Sequence, residues 1–173
     1  MRLRVSNFDI ADSFLFLRLV RKWVVESIKS FVIRVYGFII NDNNEVLIAE
    51  EFHNDTFMRK FPGGGLEYGE GIIDCLRREL VEELGFELTV MEQVYITPSF
   101  VTSAFNKSAQ VIGVYYRVSP IAQMLPLYRE NRLPPTENGM ENFKWISIDV
   151  LSKSDFTFKS DQEAFEYLLA IRK

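Results

Sequence analysis

The sequence predicts an α+β fold in which helices cover a sheet, and three observations point to it. Apolar runs of strand length dominate the chain after residue 30, two helical patterns interrupt them, and turn clusters separate the pieces. With 173 residues, 47% of them hydrophobic and 25% charged, the chain is long enough to bury one core without disulfides.

The elements follow in order. Residues 12–29 read as an amphipathic helix started by Asp12 or Ser13, with Phe16, Val20, Trp23 and Ser27 on one side and Arg18, Arg21 and Lys22 towards the other. Those basic residues break the longest apolar run, so neither a membrane span nor a signal peptide is read. Six basic against three acidic residues in positions 1–30 give too little positive charge for firm lipid adhesion. The stripe is expected to be covered by the domain or by a second subunit in a homodimer. The chain is accordingly divided into a helical extension (1–29) and a domain (30–173), with a cytoplasmic location expected.

Residues 31–40 and 45–52 read as strands around Asn41-Asp42-Asn43-Asn44, a turn cluster that predicts a hairpin. A glycine-rich loop at 62–65 leads into a helix ending at Leu84, where Gly85 is placed for a left-handed cap. Residues 89–96, 109–118 and 143–148 read as further strands. The proline-containing stretch 120–135 reads as a surface loop with short helical pieces, and 160–171 as a closing helix with Phe165, Leu168 and Leu169 apolar.

Charge and composition exclude whole classes of function. Twenty-four acidic residues against 20 basic ones leave a net charge of −4, which does not suit an electrostatic binder of bulk nucleic acid. A single cysteine, Cys75, and a single histidine, His53, exclude a disulfide framework, a thiolate zinc cluster and a multi-histidine metal site. Carboxylate is what remains in quantity, so any metal should be a hard, oxygen-bound one.

The acidic residues concentrate on the helix before Gly85. At about 100° per residue, with Glu79 set at zero, Glu83 falls near +40° and Glu82 near −60°, while Leu76, Leu80, Ile73 and Leu84 fall between roughly +60° and +140°. One face is therefore apolar, and its neighbour carries three carboxylates within one turn. Alone, that describes a solvated acidic face with an Arg78–Glu82 ion pair. Mutual repulsion of the carboxylates is also what a divalent cation would relieve.

The wider stretch resolves the ambiguity. Gly64, Glu70, Arg78, Glu79, Leu80, Glu82, Glu83, Gly85 and Phe86 stand at the spacing of the Nudix box, G-x5-E-x7-R-E-U-x-E-E-x-G-U, a pattern expected by chance on the order of once in 10⁷ chains. Residues 64–86 thus resemble the Nudix (MutT-like) hydrolase family, and Phe61-Pro62-Gly63 resembles its usual lead-in. The resemblance implies an α/β/α sandwich with a mixed central sheet, here with the additional N-terminal helix. It implies a loop and helix that bind Mg²⁺ or Mn²⁺, and hydrolysis of a nucleoside diphosphate linked to another moiety, such as ADP-ribose or a nucleoside triphosphate.

Carried over by position, Glu79, Glu82 and Glu83 would be metal ligands, joined by a carbonyl of Gly63 or Gly64. Arg78 would orient them, Glu70 would pin the loop, and Gly64 and Gly65 would let backbone approach phosphate. Glu79 is the first choice for the water-activating base, with Glu137 and Glu141, shortly before Trp145, as alternatives. A non-catalytic nucleotide sensor that regulates a partner is the competing function; the retention of every box glutamate favours the hydrolase. The lead-in lacks the signature of the coenzyme A subgroup. The lone cysteine lies inside the box, which disfavours isopentenyl-diphosphate isomerase chemistry, and Pro98 differs in spacing from the downstream proline of ADP-ribose-type members.

Arg59 and Lys60 are placed to contact phosphate or to be a solvated pair. His53 reads as a surface-loop residue, with contact to substrate as the alternative, and Cys75 as a small packing residue. Phe100, Phe105, Tyr115 and Tyr116 read as core or as stacking partners of a base.

Overall fold

The computed structural model describes residues 27–128 and 133–172. The amphipathic helix expected over 12–29 lies almost wholly outside these. Among the described residues, eight strands and two full helices follow one another as β1 (Ser30–Ile39), β2 (Glu45–His53), β3 (Thr56–Lys60), β4 (Gly63–Gly65), α1 (Ile72–Leu84), β5 (Thr89–Ile96), β6 (Val101–Thr102), β7 (Ala109–Ser119), β8 (Met140–Ser147) and α2 (Lys159–Ile171). Short 3₁₀ turns occupy Ala122–Met124 and Lys153–Asp155. Among the described residues no helix is long and apolar enough to cross a membrane.

The strands form two sheets. A mixed one runs β4-β1-β7-β5, with β6 also on β7, and an antiparallel one runs β3-β2-β8. β1 is apolar on both faces, as a strand covered on both sides must be. Val35 and Ile39 point into one core with Leu76, Leu80 and Leu84 of α1, while Tyr36 and Phe38 point into a second with Phe165 and Leu168 of α2. This is the expected α/β/α layering, built from residues that alternate along one strand.

Helix α1 ends where its sequence says it should. Gly85 takes φ 75° and its N–H bonds to the Val81 carbonyl, a conformation that costs glycine nothing. Leu76, Leu80 and Leu84 are buried as the helical wheel requires, although Ile73 is partly exposed at 40%.

Two expectations need correction. β1 and β2 do not form a hairpin: apart from one bridge, Ile40 to Val46, they belong to different sheets. Both edges of β1 are already taken, by β4 and β7, so the turn at Asn41–Asn44 carries the chain from one sheet to the other. It is still a tight turn, with the Asn41 side-chain oxygen accepting from the N–H groups of Asn43 and Glu45 at 2.9 and 3.1 Å. The true hairpin joins β2 to β3 through Asn54-Asp55, both at positive φ (49° and 55°), the pair of angles that matches strand twist. Finally, Gly63–Gly65 is not a free loop but a strand, paired with Arg34–Tyr36 of β1.

Candidate active site

The site lies where the two sheets meet over α1. Strand β4 passes across the acidic face of the helix, and its glycines permit a contact that no side chain would. The Gly63 N–H donates to Glu83 Oε2 at 2.8 Å. A Cβ on Gly64 would sit 2.1 Å from Glu79 Oε1, and one on Gly63, at φ 127°, would strike the Val35 carbonyl at 2.2 Å. Glycine here brings backbone against the Glu79 and Glu83 carboxylates.

Arg78 ties the box together. Its guanidinium donates to both oxygens of Glu70 at 2.8 and 3.1 Å and to the Gly65 carbonyl at 3.1 Å. The same group lies 3.1 Å from Glu79 and 3.2 Å from Glu82. A planar fork of five donors can serve so many acceptors at once, which lysine cannot. These hydrogen bonds hold Glu70 below the usual carboxylate range. Glu79 and Glu83 turn inward, whereas Glu82 is 59% exposed at the outer side.

Lys60 enters from the antiparallel sheet. Its ammonium lies 2.9 Å from Glu51, 3.5 Å from Glu83 and 3.7 Å from Glu141, and its side chain is only 7% exposed. Strand register explains the meeting: Glu51 and Glu141 face each other across β2 and β8, and Lys60, opposite Ala49, projects from the same face. Burial pulls the Lys60 pKa down, but Glu83, Glu51 and Glu141 outweigh it and the net shift is upward. Burial pushes Glu83 up to about 8, aided by Glu141 and Glu79 against Lys60 and the Gly63 N–H. Glu141 is raised for related reasons, burial first. Negative charge here exceeds what the protein's own cations neutralise.

A cleft of about 300 Å³ opens onto these groups, lined by Lys60, Gly63, Gly64, Glu79 and Arg34, with His53, Phe105 and Phe158 at its aromatic end. His53 and Phe105 meet edge to face, as do Phe105 and Phe158, each pair with ring centres 6.0 Å apart. Two other hollows are larger. One lies beside Arg117 and Leu168 and the other behind Arg77 and Glu82, and neither contains Glu79 or the glycines.

The structure places Glu79, Glu83, Glu141, Gly64 and Gly65 together and keeps Arg78 beside them. It does not bring Arg59: that side chain points to the opposite face of β3, bound to Glu50 at 2.6 Å and to Asp155 at 3.5 Å. Strand alternation gives the cleft to its neighbour Lys60 instead. Glu137 lies in an exposed turn before β8. Tyr115 and Tyr116 are core, but Phe100 and Phe105 are exposed at 44% and 56%. Cys75 is buried and its thiol is pushed up to about 12, first by burial, which makes it inert packing. Sequence reasoning missed Glu51 and Arg34. For Arg34 the signal was the one charged residue in a strand otherwise largely apolar, where a charge needs a reason; Glu51, in a strand with Glu45 and Glu50, carried no such mark.

The donor set suits a hard divalent cation, being wholly carboxylate and backbone oxygen. Among the described residues, however, no three acidic, histidine or cysteine side chains are yet gathered tightly enough to grip one. Arg78 serves Glu79 and Glu82, so closure on an ion requires it to release them, while Lys60 lies 3.5 Å from Glu83.

Comparison with known proteins agrees with this geometry. Residues 31–168 match the NUDIX domain family. The RNA pyrophosphohydrolase of Ruthia magnifica subsp. Calyptogena magnifica is 34% identical over 67 residues, 39% of this chain and 36% of that protein. The nucleoside triphosphatase NudI of Escherichia fergusonii is 30% identical over 93 residues, 54% of this chain and 64% of that one. The chain thus spans between about a third and two thirds of these relatives. Among solved structures, a NUDIX hydrolase from Nitrosomonas europaea superposes with a TM-score of 0.61 at 21% identity, covering 82% of this chain and 90% of that one. The box spacing, the glycine strand over the acidic helix and the family match across most of the chain all agree: this chain belongs to the NUDIX domain family.

Proposed function

We propose that the chain is a Mg²⁺- or Mn²⁺-dependent hydrolase that cleaves the pyrophosphate bond of a nucleoside diphosphate linked to another moiety. The observation that carries this reading is Gly64, whose missing Cβ leaves room for the Glu79 carboxylate at the floor of a cleft that also holds Lys60 and Arg34. Glu79, Glu82 and Glu83 would hold the ion. Its contribution when bound is to neutralise pyrophosphate charge and to acidify a coordinated water.

The chain's own groups divide the remaining work. Arg34 and Lys60 would draw the phosphates in, and the exposed ring of Phe105 with the half-buried ring of Phe158 would receive the nucleobase by stacking. Glu79 would accept the proton of the attacking water, with Glu141 as the alternative acceptor. Arg78, held by Glu70 and the Gly65 carbonyl, would fix the direction of the Glu79 carboxylate. The relatives' names, an RNA pyrophosphohydrolase and a nucleoside triphosphatase, support the linkage class. Nucleotide sugars such as ADP-ribose and nucleoside triphosphates are the substrates to try first.

A panel of nucleotide pyrophosphates, each with Mg²⁺ and with Mn²⁺, tests the proposal by released phosphate after phosphatase treatment. Turnover abolished by EDTA and restored by the ion is expected. Full activity in excess EDTA would sink the metal assignment, and tight nucleotide binding without turnover would leave a sensor in place of an enzyme.

A further inference from the structure

Five carboxylates gather about the cleft, but they are not equally available. Glu79 and Glu82 share Arg78, which has anchors elsewhere in Glu70 and the Gly65 carbonyl and can release them while keeping its place. Glu51, Glu83 and Glu141 form a separate corner, contributed by β2, α1 and β8. Lys60 sits at its centre, with ammonium contacts of 2.9, 3.5 and 3.7 Å. All three of these partners belong to the corner. The lysine backbone is pinned in the ladder opposite Ala49, and its side chain is nearly sealed from solvent.

The corner also needs a cation to exist. Glu51 and Glu141 face each other directly across two strands, an arrangement in which like charges destabilise the sheet. A Mg²⁺-sized ion bound there would require oxygens at about 2.1 Å. That ion and an ammonium could not occupy the same few ångströms, because two cations so close repel strongly in a site with little water.

We propose that Lys60 is a resident cation that fills the Glu51–Glu83–Glu141 corner, so that the chain holds one divalent ion tightly, on the Glu79 side of Glu83. The proposal rests on the metal-binding reading of the box glutamates. It assigns Lys60 a positioning role: a fixed charge stands where a second ion would otherwise bind.

The test counts ions by titrating the full-length chain with Mn²⁺, read by calorimetry and by the loss of free-ion electron paramagnetic resonance signal, with no substrate present. Wild type is expected to bind one Mn²⁺ per chain tightly. Lys60→Gln should bind two, the second at a corner stripped of its ammonium, and total uptake at low Mn²⁺ should tighten roughly tenfold. Lys60→Arg, which keeps the charge, should bind one. Should Lys60→Gln fold only when Mn²⁺ is supplied, and then with two ions, the proposal stands. One ion in both wild type and Lys60→Gln overturns it, as do two tight ions in wild type or in Lys60→Arg. No binding in any of the three proteins overturns instead the reading of the box glutamates on which it rests.

Discussion

Glu83 offers a test in which metal and stability give opposite answers. Burial, Glu141 and Glu79 push its carboxyl up to about 8 in the folded chain, from an ordinary value of 4.5. The folded state therefore holds a proton that the unfolded chain gives up near pH 4.5, and folding stability falls as pH rises from about 4.5 to about 8. A rise of about 3.5 pH units at about 1.4 kcal/mol each sets a ceiling near 5 kcal/mol for the cost of the buried charge at pH 9. Glu83→Gln removes that charge, keeps an oxygen for the Gly63 N–H, and loses only the 3.5 Å contact with Lys60, which retains Glu51 and Glu141.

We expect the variant in EDTA at pH 9 to be more stable than wild type by roughly 1 to 3 kcal/mol, or about 3 to 10 °C in Tm for a domain of this size. At pH 5 the difference should shrink towards zero, because wild-type Glu83 is then protonated when folded. With Mn²⁺ at about a hundred times its Kd, wild type should gain about 2.7 kcal/mol, while the variant should gain little and turn over poorly. Thermal melts at pH 5 and 9, with EDTA and with Mn²⁺, read all four conditions. An offset that is the same at both pH values, or a variant less stable at pH 9 in EDTA, would refute the buried-charge argument. Near wild-type turnover at saturating Mn²⁺ would refute the metal role of Glu83.

Two other substitutions probe separate links. Gly64→Ala should drive a methyl group into the Glu79 carboxylate, which can swing aside, so stability should change by no more than about 1 kcal/mol while Mn²⁺ affinity falls at least tenfold; unchanged affinity in a Mn²⁺ titration would show that Glu79 is not held for the ion. Asp161, fully buried and bonded by the Tyr115 hydroxyl at 2.7 Å, is pushed by burial up to about 7. It therefore costs stability progressively as pH rises from about 4 to about 7, and Asp161→Asn should flatten that part of the pH–Tm curve. Parallel curves for the two proteins would count against it.

What could be read in the sequence, and what could not, divides along physical lines. The box helix, its left-handed end at Gly85 and its buried leucines follow from local rules, and so do β5, β7 and the closing helix. The Arg78–Glu82 pair is likewise set by helix spacing alone. Partners chosen over distance were not legible. Nothing local says that β1 pairs with β7 instead of its neighbour β2, or that a glycine run is a strand. Strand β3 went unseen, because the five residues from Thr56 to Lys60 show alternation only against a known partner. With β3 unseen, Arg59 could not be told from Lys60 as the residue facing the cleft, nor could Glu51 be set beside Glu141.

The chain passes between its two sheets through Phe61 and Pro62, both buried, with Phe61 stacked on Phe156 at 4.7 Å and the Pro62 carbonyl bonded by the Gly37 N–H. This crossing has a consequence for the order in which the molecule acquires its chemistry. Chains leave the ribosome from the N-terminus, so the glycine strand and the box helix are made well before β8 delivers Glu141, and before Phe156 and α2 close the core that steadies the crossing. A partly synthesised chain carries the box glutamates beside β2 and β3 but without β8, the third strand of that sheet. It therefore has Glu79, Glu82 and Glu83 but neither Glu141 nor the Phe158 wall of the cleft. Competence of the site is withheld until synthesis has passed β8 and α2.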